Sequence, residues 1–102
     1  MAKEFVIKGE KVVLNPDFNR LVMSDLLSID EIAKQLFSSQ SRTETETALS
    51  TQFMDSSHCI ALAWVACLKS DTSLARFSID DLPLPVAYWL NSEGFSFRAG
   101  CV

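Results

Sequence analysis

The sequence predicts a mainly α fold: a small helical domain with a short N-terminal β-hairpin. One observation is an apolar stripe at spacings of three and four in "SIDEIAKQLF", which is typical of an amphipathic helix. A second is the unbroken apolar run Cys59–Leu68. A third is a pair of short apolar runs near the N-terminus, separated by a segment that contains Gly9. With 102 residues, the chain is expected to form a single domain over 1–102.

The hairpin is predicted over residues 4–15, "EFVIKGEKVVLN". Its two apolar runs, 5–7 and 12–14, are mostly β-branched, and Gly9 between them tolerates the positive φ of a tight turn. A lone two-stranded hairpin is marginal in water, so it must pack on the rest of the chain or pair with another chain.

Helices are predicted over 16–37, the first from about residue 16 to 27. Asn15 is a candidate N-cap, and Pro16 suits the first helical position. The apolar residues that follow lie at helical spacings, and they are Phe18, Leu21, Val22, Leu26 and Ile29.

A second helix is predicted to begin at Ser28. Ser28 and Glu31 are three residues apart, which is the spacing of a capping box. The stripe then continues to Phe37. A polar segment follows over 38–50, and it is predicted to be a loop.

The central helix is predicted over 51–69. This segment contains neither Gly nor Pro, and its second half is apolar almost all round. A helix with that pattern is surrounded by protein, so it should form the buried centre of the fold.

A C-terminal helical segment is predicted over 78–94. Ser78, followed by two aspartates, is expected to begin a short helix. A final helix is expected from Leu84 or Pro85 to Ser92, ending at Gly94. The remaining "FSFRAGCV" is expected to be either frayed or an edge strand.

The cysteines and the histidine do not form a plausible metal site. Cys59 and Cys67 are eight residues apart, which is about 12 Å along a helix. That separation excludes both a shared tetrahedral zinc and a disulfide. His58 adjoins Cys59 and points about 100° away from it on a helix. We expect structural thiols and no metal.

No catalytic residues are predicted, and we expect the protein not to be an enzyme and to need no cofactor. A nucleophilic cysteine has only His58 as a possible base, in a poor orientation. The acidic pairs 30–31 and 80–81 lie where helices begin, which the helix dipole explains. The three glycines are too dispersed for a phosphate-binding loop.

Charge and hydropathy limit the partners. Nine basic residues are scattered among thirteen acidic ones, for a net charge of −4, which disfavours nucleic acid. The apolar run of ten residues is about half of what a membrane span needs. The N-terminus does not have the pattern of a signal peptide, and three cysteines suggest reduced thiols inside a cell.

Aromatic residues near the C-terminus are the candidate partner-binding surface. Tyr88 and Trp89 are adjacent and must point in different directions from one helix, and Phe95 and Phe97 follow. Exposed aromatics often anchor interfaces. The alternative is that these residues close the core.

Taken in order, the hairpin "FVIKGEKVVLN", the helical stretch "RLVMSDLLSIDEIAKQLF", the polar gap and the central "ALAWVACL" resemble the tail assembly chaperones of long-tailed, lambda-like bacteriophages. The resemblance spans roughly residues 4–70 and lies in pattern and order, without a position-specific motif. No residue role can therefore be transferred from that family.

The resemblance implies a non-enzymatic protein of the host cytoplasm that binds the tape measure protein during tail morphogenesis and forms homo-oligomers. The alternative from the sequence is a small phage- or plasmid-encoded inhibitor, similar to an anti-CRISPR protein or an antitoxin, that acts by stoichiometric protein binding.

Overall fold

The computed structural model describes residues 2–39 and 50–100, without the side chains of 37–39 and 50–55. It is mainly helical with an N-terminal antiparallel hairpin, which confirms the predicted fold class. The strands are β1 (Lys3–Ile7) and β2 (Glu10–Leu14), and the α-helices are α1 (Asp25–Ser39), α2 (Ser50–Ser70) and α3 (Leu84–Gly100). Short 3₁₀ helices span Phe18–Arg20, Thr72–Arg76 and Ile79–Asp81.

The hairpin closes through a two-residue turn at Lys8 and Gly9, with φ angles of 52° and 77°. Two consecutive positive φ angles are typical of the type I′ turn, whose twist matches that of the strands. In the resulting register Phe5 pairs with Val12. One face of the hairpin therefore turns the buried side chains of Ile7 and Leu14 towards the helices.

Helix α2 lies at the centre and is buried on two sides. On one side, Trp64 and Cys67 pack with residues of the hairpin, of α3 and of the 3₁₀ segments between α2 and α3. On the other side, Leu62 and Val65 pack against Ile29 of α1, in a second cluster. The predicted central helix over 51–69 corresponds closely to α2, and its apolar run is buried as expected.

Side chains cap the N-termini of the two short 3₁₀ helices between α2 and α3. Asp71 accepts a hydrogen bond from the backbone N–H of Ser73 at the start of the first 3₁₀ helix. Ser78 and Asp81 form a capping box at the next one, where the sequence predicts a short helix. Pro83 precedes α3, and its carbonyl accepts hydrogen bonds from the N–H groups of Val86 and Ala87.

The predicted helix over 16–27 is wrong. The chain forms one 3₁₀ turn at Phe18–Arg20, becomes extended at Leu21 and enters α1 at Asp25. A tertiary bond competes with helix formation, because the N–H of Asp17 donates to the carbonyl of Ala66 in α2, at 3.2 Å. The capping box at Ser28 is also wrong, since Ser28 lies within α1.

The predicted helix end at Gly94 is wrong too. Helix α3 continues to Gly100, so up to that residue the tail is neither frayed nor an edge strand. Gly94 is buried where α3 crosses α2, and a Cβ there would clash with the backbone of Cys59. Glycine serves close helix packing at this position and does not end the helix.

The predicted polar loop over 38–50 lies mostly outside the described residues. Ser38 and Ser39 belong to the end of α1, and Ser50 begins α2. Residues 40–49 lie outside the described part of the chain.

Candidate functional site

The four aromatics predicted to bind a partner do not share one surface. Tyr88 and Phe95 are exposed, at 66% and 65% of their surface, and lie seven residues apart on the outer face of α3. Trp89 instead packs on Phe5 of the hairpin, with ring centroids 5.3 Å apart. Phe97 stacks on Phe18, with centroids 4.4 Å apart and rings inclined by 9°. Trp89 and Phe97 therefore pack against the rest of the chain, as the alternative interpretation expects for residues that close the core.

A different apolar surface lies at the start of α1. An open groove of about 540 Å³ is bounded by the segment before α1, the first turns of α1, and one residue each from α2 and α3. All its lining residues are apolar, and they are Phe18, Leu21, Val22, Met23, Leu26, Ile29, Leu62 and Phe97. We call this the apolar groove, and Phe97 is the predicted site residue that contributes to it.

The rim of the apolar groove consists of large apolar side chains that are exposed to solvent. Met23 is 81% exposed, and Val22 and Leu26 are each more than half exposed. Leu27, directly beside them, is 74% exposed. Four large apolar side chains over six residues are therefore in contact with solvent, which is typical of a protein-binding surface.

Polar contacts with α2 hold the groove segment in place. The N–H of Asp17 donates to the carbonyl of Ala66, and the guanidinium of Arg20 donates to the carbonyl of Lys69, at 3.4 Å. The Lys69 ammonium lies 3.2 Å from the carboxylate of Asp25, at the start of α1. These contacts tie the segment that lines the groove to α2, although the rim of the groove is exposed.

The carboxylate of Asp25 connects this segment both to its own backbone and to α2. Its carboxylate accepts a 2.8 Å hydrogen bond from the backbone N–H of Val22. This bond, together with the Lys69 ammonium, holds the pKa of Asp25 below its ordinary value, against an opposing effect of desolvation. Asp25 therefore stays ionised and fixes the turn that exposes Val22 and Met23.

Both thiols of α2 are buried. Cys67 is fully buried, and burial raises the pKa of its thiol to about 12. Cys59 is buried as well, and its sulfur accepts a 3.4 Å contact from the guanidinium of Arg98. Nδ1 of His58 is buried and has no hydrogen-bond partner in the described part of the chain.

Within residues 2–39 and 50–100, no cluster of three or more His, Cys, Asp or Glu side chains is placed to hold a metal ion. No helix among the described residues has the length and hydropathy required to cross a bilayer.

The sequence interpretation missed the apolar groove as a site. It placed Leu21, Val22 and Leu26 at helical spacings in a helix predicted over 16–27. A signal was present in the pairs Val22-Met23 and Leu26-Leu27, because adjacent apolar residues on a helix cannot all face one core.

Comparisons with known proteins give no relative for this chain: no family model, no curated protein and no solved structure matches it.

Proposed function

We propose that this chain is a non-enzymatic tail assembly chaperone of a long-tailed bacteriophage, which binds apolar helical segments of the tape measure protein in the host cytoplasm. The resemblance in pattern over residues 4–70 suggests the role. The apolar groove is the observation that supports protein binding over catalysis, and we take it as the proposed binding site.

The shape and lining of the groove suit a helical ligand. Amphipathic helices bind other proteins by placing side chains at positions i, i+3/4 and i+7 into an apolar groove. A volume of about 540 Å³ with solely apolar lining residues suits several such side chains. Met23 and Leu26, on the exposed rim, would cover the sides of the bound helix.

Two intrachain ion pairs lie beside the apolar groove. The nearest charges are paired within the chain, Asp17 with Arg20 at 3.1 Å and Asp25 with Lys69 at 3.2 Å. Because these charges are already paired within the chain, an apolar segment can bind in the groove without supplying charges to neutralise them. The net charge of −4 favours solubility of the free chain despite the exposed apolar rim.

The experiment is co-expression with the tape measure protein, comparing two variants that each place a carboxylate on an exposed leucine. Leu26→Glu changes the groove rim, and Leu84→Glu changes the outer face of α3, where Leu84 is 63% exposed. We expect Leu26→Glu to fold normally by circular dichroism but to leave most of the partner insoluble, since a charge in the groove opposes apolar binding. Leu84→Glu should keep the partner soluble, as the parent does.

Two outcomes would contradict the proposal. If both variants keep the partner soluble, the groove is not the binding site. If only Leu84→Glu fails, the contact is on the outer face of α3, with Tyr88 and Phe95 as its anchors.

A further inference from the structure

Leu27 is an exposed leucine that lies beside the apolar groove without lining it. It directly follows Leu26, which belongs to the rim of the groove. Residues that are adjacent in a helix point about 100° apart, so Leu27 lies beyond the rim, on the outer side of α1. A helical segment that fills the groove would therefore reach Leu27 only with side chains on the flank of its apolar stripe.

A carboxylate lies one helical turn beyond Leu27. Glu31 is four residues further along α1, which makes the two side chains neighbours, about 6 Å apart along the helix axis. Glu31 is exposed, and none of the ion pairs among the described residues involves it. Its neighbour Asp30, by contrast, pairs with Lys34 at 3.0 Å. Leu27 and Glu31, which we call the α1 flank, therefore present an apolar surface that ends in a negative charge.

The other charges around the groove do not offset Glu31. The two basic side chains that adjoin the groove from the segment before α1 and from α2 are already paired with carboxylates. On α3, Glu93 lies one turn before Phe97 and Arg98 directly follows it, so that wall carries one charge of each sign. The guanidinium of Arg98 also donates to the sulfur of Cys59. The charge left uncompensated beside the groove is therefore negative, and it lies on α1.

We propose that the α1 flank binds a lysine or arginine of the segment held in the groove, so that the site selects basic amphipathic helices. This inference rests on the proposed function, which places a helical segment in the groove. Lysine and arginine fit the α1 flank because their aliphatic stems pack on apolar surface while the charged group extends past it. The stem covers Leu27, and the cation meets the carboxylate of Glu31.

This contact contributes to selectivity more than to affinity. An exposed ion pair changes a binding constant by about fivefold at most. A carboxylate in the same position of the bound segment is repelled instead, so a basic and an acidic segment should differ by about tenfold in affinity. The difference should shrink as salt is added, because exposed charges are screened.

The test uses four fluorescent amphipathic peptides of about 18 residues, or about five helical turns. All share one leucine stripe, and the rows beside the stripe carry lysine, glutamine, glutamate or 2,4-diaminobutyrate. By fluorescence anisotropy at low salt, we expect the lysine peptide to bind about tenfold more tightly than the glutamate peptide, with the glutamine peptide between them. The diaminobutyrate peptide should lose most of the advantage of lysine, because its shorter stem cannot carry the ammonium past Leu27.

Two charge reversals separate the local contact from the net charge of the protein. Glu31→Lys removes the carboxylate of the α1 flank, and Glu4→Lys makes the same change in net charge on the hairpin. We expect Glu31→Lys to remove the preference for the lysine peptide and Glu4→Lys to preserve it. Both side chains are exposed, so both variants should fold, which circular dichroism checks.

The glutamine peptide distinguishes failure of this inference from failure of the proposed function. If it binds the parent but not Leu26→Glu, while the lysine and glutamate peptides bind the parent equally, the groove holds a helix and the selectivity for basic segments is wrong. Loss of the preference in Glu4→Lys to the same extent as in Glu31→Lys would overturn the local contact as well. If none of the four peptides binds, the proposed function fails, and this inference fails with it.

Discussion

Gly94 shows how one residue decides the distance between two helices. A Cβ at this position would clash with the carbonyl oxygen of Cys59 and would lie 2.8 Å from its carbonyl carbon. The obstacle is the backbone of α2, which cannot rotate aside as a flexible side chain would. Only glycine permits α3 to approach α2 this closely, and the sequence alone does not distinguish such a glycine from a helix end.

We therefore expect Gly94→Ala to destabilise the protein although alanine is the better helix former. Alanine gains about 1 kcal/mol in helix propensity, but the helices must separate, and such overpacking typically costs about 1–3 kcal/mol in net stability. Urea unfolding should show this as a lower midpoint with an unchanged slope. Gly100→Ala is the matched control, because nothing lies within 4 Å of its added Cβ. Equal midpoints for the two variants would contradict the close approach.

Cys67 gives a second prediction at the scale of one residue, the dependence of stability on alkaline pH. Burial raises the pKa of its thiol from 9.0 to about 12, so the folded state retains a proton that the unfolded state loses. Stability should thus be unaffected below pH 9 and fall as the pH rises from 9 towards 12, by up to about 1.4 kcal/mol per pH unit from this group. In Cys67→Ala, the slope of unfolding free energy against pH over that range should be smaller. An unchanged slope would show that the thiol ionises in the folded state.

At the scale of the element, the start of α1 depends on Asp25. Its carboxylate bonds the N–H of Val22 and pairs with Lys69, which ties the first turn of α1 to the end of α2. This contact fixes both where the helix begins and how the apolar groove is shaped. A capping box at Ser28 is as plausible from sequence, and the difference comes from the tertiary contact with α2.

The titration of Asp25 provides the test. Because its folded pKa lies below the ordinary 3.8, its stabilising contribution is present above that value and is lost as the pH falls through the lowered pKa. We expect the amide resonance of Val22 to shift with a midpoint below pH 3.8. Asp25→Asn retains an acceptor oxygen for Val22 but cannot titrate, so its Val22 amide should not shift in that range. A midpoint above 3.8 in the parent would contradict the anchoring role.

Elements whose signal is local were predictable, and those decided by packing were not. The hairpin turn follows from Gly9 and its flanks, and α2 follows from an apolar run without Gly or Pro. The segment before α1 is different, because a bond from Asp17 to Ala66 overrides its helical pattern. Of the predicted site residues, Phe97 lines the groove, but its neighbours there come from other elements that sequence spacing cannot bring together.

At the scale of the whole molecule, α2 separates two sets of contacts. The buried residues of the hairpin and of α3 pack on one side of it, and the buried residues of α1 pack on the other. Partly buried side chains connect the two sets, since Ile32 of α1 also packs on the first and Phe97 of α3 packs on the second. The exposed apolar residues lie away from this centre, at the start of α1, on the outer face of α3 and on the hairpin. The exposed rim of the apolar groove can therefore be altered without touching the core.

This arrangement predicts which backbone amides exchange with solvent only when the whole chain unfolds. The amides of Ala61–Cys67 lie in a helix buried on two sides, so their exchange with solvent should require global unfolding. Their exchange free energies should equal the free energy of unfolding measured with denaturant, on the order of 5–15 kcal/mol for a domain of this kind. The amides of Leu26 and Leu27 should exchange through local opening at lower free energy, because their side chains are exposed and little packing is lost. If the α2 amides exchanged as readily as those two, α2 would not be the last element to open.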